Sequence, residues 1–146
     1  MLELLSLTDW GRLDWLLVDM PPATGDVLQT LTSLGTKNLS ALVVTVADRL
    51  STTVAHRTLE LLRTGSIPAV GILENMQGRS SGSMSSGGPR ALAREFGVRF
   101  LGALPFDAGV SRAVEKGDIA ALLKTKFAAE LSNSTKDMAR NVATPG

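Results

Sequence analysis

The chain has no cysteine and only one histidine in its 146 residues. The first absence excludes disulfides, thiolate zinc sites and an iron–sulfur cluster held by this chain's own side chains. It also accords with a cytoplasmic location. The second removes Ser-His-Asp and Cys-His hydrolysis, because His56 sits mid-helix beside Arg57 with no second ligand or nucleophile partner in view and reads as a surface residue. The opening MLELLSLTDWGRLD lacks the basic start and long apolar core of a signal peptide. No apolar run approaches the ~20 residues of a membrane span. Fifteen basic and 14 acidic residues give a net charge of +1 with no basic block, so neither nucleic acid nor a membrane surface is an expected partner. Neither G-x-x-x-x-G-K-[ST] nor G-x-G-x-x-G occurs, so no standard phosphate cradle is written in these residues.

What is present suits a globular domain: 44% of residues are hydrophobic and 20% charged, and a chain of this length buries a sizeable core. Strand-like apolar runs fall at Trp15–Val18, Ala41–Ala47, Ala69–Leu73 and Phe100–Leu104. Helix-period segments lie between them. Val27, Leu28, Leu31 and Leu34 share a face that Gly35 closes. Val54, Thr58, Leu61 and Leu62 form a stripe capped by Ser51 or Thr52 and ended at Gly65, with Pro68 beyond. Leu92 and Phe96 mark a helix entered through Pro89 and closed by Gly97. Val110 and Val114 suggest a fourth helix, and Ile119, Leu122, Leu123 and Phe127 a fifth.

Strands of near-continuous apolar composition alternating with helices predict β-α-β units: an α/β fold, three-layered, with a mostly parallel sheet covered by helices on both faces. The expected domain covers 1–131, with a flexible serine- and glycine-rich loop at 77–88 and a flexible polar tail at 132–146. Trp10 and Trp15 are expected to pack inside.

Ligands of parallel α/β sheets sit beyond the C-terminal strand ends, which directs attention to Asp19, Asp48, Asn75 and Pro105–Asp107. Asp19 ends the run Leu16-Leu17-Val18 and is followed by Pro21-Pro22. A carboxylate at a buried strand tip must be hydrated, paired or bound to a cation, so Asp19 either terminates a strand or holds a divalent ion. Thr24-Gly25-Asp26 either caps a helix or presents N–H groups to an anion. Asn75 either forms a turn or uses its amide donor and acceptor to read a purine edge. Pro105-Phe106-Asp107 either caps a helix or walls a base pocket.

Taken in order, LDWLLVDMPPATGDVLQTL, ALVVTVADRLSTTVAHRTLELL, IPAVGILENM and GGPRALAREFGVRFLGALPFDAGVSRAVEKGD resemble the second half of the Mrp/ApbC-type ATPases, iron–sulfur cluster carriers in the MinD/ParA group of P-loop NTPases. The resemblance runs from about Asp9 to Asp118 and is carried by D-x-P-P-x-T-G-D and G-I-x-E-N-M. It implies a partial P-loop NTPase domain that binds ATP and Mg2+, with a role in iron–sulfur cluster assembly or transfer. It makes Asp19 the Walker B aspartate near the metal, sets Thr24, Gly25 and Asp26 on the γ-phosphate side, makes Asn75 the adenine reader, and places Pro105 and Asp107 beside the base.

The sequence departs from the family at three points. The family's lysine-bearing P-loop would precede residue 1, so ATPase activity is left open for these residues. The region after E-N-M holds no C-x-x-C. Ala23 stands where the family's loop has glycine and so loses easy access to φ > 0. In the family's topology the P-loop strand lies between the Walker B strand and the next one, which leaves a gap of about 9.5 Å beside Ala41–Ala47. A rearranged sheet, an oligomer or an unstable chain is then expected. The implied partners are a second copy or a complete homologue, and an iron–sulfur client protein. Two alternatives remain: an inactive interaction module that dimerises with a complete homologue, and a remnant of a MinD/ParA-like positioning ATPase.

Overall fold

The computed structural model describes residues 7–20, 39–78 and 88–142. In chain order the elements are β1 (Ala41–Val46), α1 (Arg49–Thr64), β2 (Ala69–Gln77), α2 (Pro89–Phe96), β3 (Phe100–Pro105), α3 (Ala108–Glu115), α4 (Ile119–Leu123) and α5 (Lys126–Val142). The three strands form one parallel sheet in the order β1-β2-β3, with α1 and α2 as the crossovers between them.

Why these residues form these elements is mostly local chemistry. Asp48 caps α1: its Oδ1 accepts from Ser51 N at 2.8 Å and its Oδ2 from Ser51 Oγ at 2.6 Å. The cap therefore falls three residues before the expected Ser51, which donates to it instead. Helix α1 closes against Gly65, yet the left-handed residue is Ser66, at φ 54°. Pro89 opens α2, where its missing N–H costs nothing, and Gly97 closes it at φ 66°. The expected fifth helix is two helices. Asp118 caps the short α4, and Thr125 Oγ1 accepts from Ala128 N at 3.1 Å to begin α5. Helix α5 then runs to Val142, through residues assigned from sequence to the tail beginning at 132.

One face of the sheet carries the main core. Val43 and Ile72 pack with Ala55, Leu59 and Leu62 of α1, Leu92 and Ala93 of α2, and Ile67. Ile72 is fully buried, a burial that stabilises by about 2–3 kcal/mol. Leu73 and Leu104 are also buried but lie outside that cluster. Successive strand residues face opposite sides, and α5 packs on β3 and β2, so helices cover both faces of these two strands. The approach is close: a Cβ added at Gly102, whose φ is +148°, would meet Ser134 Oγ at 2.8 Å.

β1 is different. Among the described residues it pairs only with β2, and on the face away from α1 Leu42 and Val44 are 38% and 53% exposed. The expected first strand is not there. Residues 15–18 adopt no strand, and Leu17 is 82% exposed. Trp10 and Trp15, expected inside, are both largely exposed. The physical reason is that a parallel strand needs a ladder partner for its N–H and C=O groups, and among the described residues this run has none. Among the described residues the gap is not closed by direct pairing of the Trp15 run with β1.

Candidate functional site

The carboxyl ends of the three strands form one edge of the molecule. At the end of β1, the Asp48 carboxylate is held by its hydrogen bonds from the Ser51 hydroxyl and backbone N–H, which keep it below its ordinary pKa of 3.8. It faces the α1 N-terminus, so the exposed N–H groups that would attract an anion are already partly satisfied.

Asn75 lies within β2, opposite Val46 of β1, in a half-buried position. Its Oδ1 accepts from Met76 N at 2.8 Å, leaving the Nδ2 donor without a partner among the described residues. That bond turns the chain sharply: Met76 takes φ 55° and Gly78 φ 87°. Positive φ is unusual and strained for methionine. Such strain persists only where the surroundings over-determine it, and here it follows directly on the asparagine that sequence reasoning singled out. The sequence carries no signal for Met76 itself.

β3 ends beside this turn. Gln77 pairs with Pro105, and Phe106 N donates to Gln77 O at 2.9 Å. Phe106 is 49% exposed. Asp107 caps α3, its Oδ1 accepting from Gly109 N at 2.7 Å, so the carboxylate is turned toward the helix. Asn75 thus lies at the same carboxyl edge as Pro105 and Asp107, two residues before Gln77, which pairs with Pro105. Asp19 is not held at a buried strand tip, as expected from sequence; it is exposed in an irregular run outside the sheet. No three carboxylate or imidazole groups are placed to share a metal among the described residues. Thr24, Gly25 and Asp26, and residues 79–87 of the serine-rich stretch, lie outside the described residues.

His56 lies on the face of α1 that meets α2. Its Nε2 is 3.0 Å from Glu95 and its Nδ1 3.6 Å from Glu60, and its ring meets Phe96 edge-on with centroids 4.9 Å apart. The ring and both carboxylates are substantially exposed, in keeping with the expected surface role.

A parallel sheet flanked by helices, with an amide and a Pro-Phe-Asp turn at its carboxyl edge, is an α/β architecture of the kind whose ligands sit beyond the strand ends. The chain belongs to the ParA family of NUBPL iron-transfer P-loop NTPases, whose family model matches residues 1–143. It is 32% identical over 147 residues to the iron-sulfur cluster carrier protein of Methanocaldococcus jannaschii, covering 96% of this chain and 51% of that one. It is 37% identical over 124 residues to the cytosolic Fe-S cluster assembly factor NUBP2 of Rattus norvegicus, covering 79% of this chain and 46% of that one. The chain spans about half the length of these relatives. Among solved structures, the cell division ATPase MinD of Pyrococcus furiosus superposes with a TM-score of 0.53 at 20% identity over 69% of this chain and 42% of that one, a likeness of fold.

The family implies ATP and Mg2+, and the residues present fit them unevenly. An amide with a free donor beside an exposed aromatic and a proline suits a purine base. The phosphates and metal find less: the α1 N-terminus is occupied by its own aspartate, and Asp19 is unsupported. No helix among the described residues is long and apolar enough to cross a membrane.

Proposed function

We propose that these residues carry the base-binding half of an ATP site that works in iron–sulfur cluster assembly or transfer, the phosphates being bound by residues outside these 146. The observation that carries this reading is the position of Asn75: at the carboxyl edge, just before the strained Met76, on the strand whose Gln77 pairs with Pro105. Asn75 holds the adenine edge through its amide, Phe106 and Pro105 wall the base, and Asp107 fixes the turn by capping α3. By the family resemblance Thr24, Gly25 and Asp26, which lie outside the described residues, are assigned to the phosphate side and Asp19 to Mg2+. When bound, ATP supplies the energy of phosphoanhydride cleavage; within these residues nothing replaces the lysine and backbone cradle on which that chemistry depends. Any cluster is held by cysteines outside these 146 residues, which contain none. The relatives named as cytosolic factors support a cytoplasmic place of work.

The test is calorimetry of ATP and GTP binding, with and without Mg2+, on the chain and on its Asn75→Ala and Asp19→Ala variants. Weak ATP binding, on the order of 1 mM, lost in Asn75→Ala and indifferent to Mg2+ and to Asp19→Ala, is expected of the isolated half-site. Equal binding of GTP, or binding untouched by Asn75→Ala, would sink the adenine assignment.

A second reading has its own support. The open β1 edge and its uncovered Leu42 and Val44 favour a module that acts by pairing with a second copy or a complete homologue. Sedimentation analysis separates the two: a strictly monomeric chain that binds ATP supports the half-site alone.

A further inference from the structure

At the opposite, amino end of β3 a cavity of about 310 Å³ opens to solvent between α2 and the strand, lined by Arg90, Ala93, Arg94, Val98 and Phe100. Its floor is apolar: Ala93 is buried, and Val98 and Phe100 are half-buried. Its two cations stand at i and i+4 of an eight-residue helix, where like charges repel and weaken the helix. No carboxylate among the described residues pairs with either one; the only acid of α2, Glu95, is turned to His56. The Arg90 guanidinium lies over the Phe100 ring, 4.1 Å from its centroid, which holds it at the rim of the cavity. Two exposed guanidinium groups with no carboxylate partner among the described residues, set beside an apolar floor, are suited to recognition of carboxylates. The cavity is too open to enclose a cofactor, yet it has room for one or two side chains. Arginines spaced one helical turn apart match carboxylates carried along a peptide.

We propose that this cavity docks a partner polypeptide that seats an apolar side chain against Phe100 and Val98 and sets flanking carboxylates on Arg90 and Arg94. The site lies at the amino end of β3, away from the carboxyl-edge residues, and does not depend on nucleotide binding. Charge complementarity selects the occupant: an acidic-apolar segment, with the aliphatic anchor giving hold and the carboxylates giving orientation.

The probe is a fluorescein-labelled eight-residue peptide of alternating glutamate and leucine, read by anisotropy and by amide shifts in the NMR spectrum. A lysine–leucine peptide, a glutamate–serine peptide and sodium phosphate serve as comparisons. Binding of the glutamate–leucine peptide is expected, with shifts at Ala93, Val98 and Phe100. It should weaken about tenfold or more in the Arg90→Glu/Arg94→Glu variant, and that variant should instead take up the lysine–leucine peptide. Both arginines are exposed, so the variant should keep its fold, and Arg90→Gln/Arg94→Gln supplies a milder check. Absence of binding, shifts located elsewhere, unchanged affinity after charge reversal, or an equal response to phosphate or to the glutamate–serine peptide would each overturn the proposal.

Discussion

Gly71→Ala tests how tightly the sheet positions the candidate site. A Cβ at residue 71 would lie 2.7 Å from Leu101 Cγ, 2.9 Å from Leu101 Cδ1 and 2.9 Å from the backbone oxygen of Arg99. Leu101 can change rotamer, but the Arg99 carbonyl cannot: it accepts the hydrogen bond from Ile72 N at 2.7 Å that begins the β2–β3 ladder. Relief requires the two strands to part there. Overpacking of this kind costs about 1–3 kcal/mol, and the strained ladder bond up to about 1 more. Against this stands about 0.4–1 kcal/mol gained by restricting the unfolded chain. At their midpoints these terms leave a net loss of about 2 kcal/mol, read as a lower urea midpoint at unchanged slope. Adding Leu101→Ala removes two of the three close contacts, so the pair should lose less than the sum of the single variants, by about 0.5 kcal/mol or more. A Gly71→Ala protein as stable as the parent, or more so, would refute the reasoning, because the entropy term would then stand unopposed.

Other outcomes follow from single features of the structure. Ile72→Ala should lose about 2–5 kcal/mol in denaturant unfolding, since the side chain is fully buried between strand and helices. Ser66→Gly should raise stability by up to about 1 kcal/mol, because φ 54° suits glycine better than serine. The Asp48 carboxylate has a folded-state pKa below its ordinary 3.8, so its stabilisation is present above that value and is lost as pH falls through the lower folded value. Asp48→Ala should therefore cost about 1 kcal/mol at neutral pH and show a smaller acid-side decline than the parent below about pH 4, measured by thermal unfolding across pH. Val44→Lys places a charge on the uncovered face of the open-edged strand and should shift sedimentation toward monomer if copies associate through β1.

Much of this fold is legible in the sequence because its elements are punctuated by residues with one physical use. Pro89 and Gly97 bound α2 as expected, and the apolar runs at Ala41 and Phe100 are strands. β2 outlasts its apolar run by four residues, Glu74 to Gln77, because pairing with β1 and β3 holds polar residues in the ladder. That continuation puts Asn75 inside a strand rather than after it. Helix α5 was hidden by its polar composition; what fixes it is the small Ser134, buried against Gly102, a packing fit that no hydrophobic period announces. The run at Trp15 shows the reverse case. Its residues have every local mark of a buried strand, but a strand is completed by its neighbour, and composition says nothing of whether the neighbour is present.

The central claim is that Asn75 and the Pro105–Asp107 turn hold a purine base. Its most direct test is an NMR titration of the 146-residue chain with adenosine, which lacks phosphates and so engages the base side alone. The account predicts amide shifts confined to the β2 end and the turn after β3, at Asn75, Gln77 and Asp107, absent with guanosine and abolished by Asn75→Ala. Shifts that fall elsewhere, or none at millimolar adenosine, would contradict it.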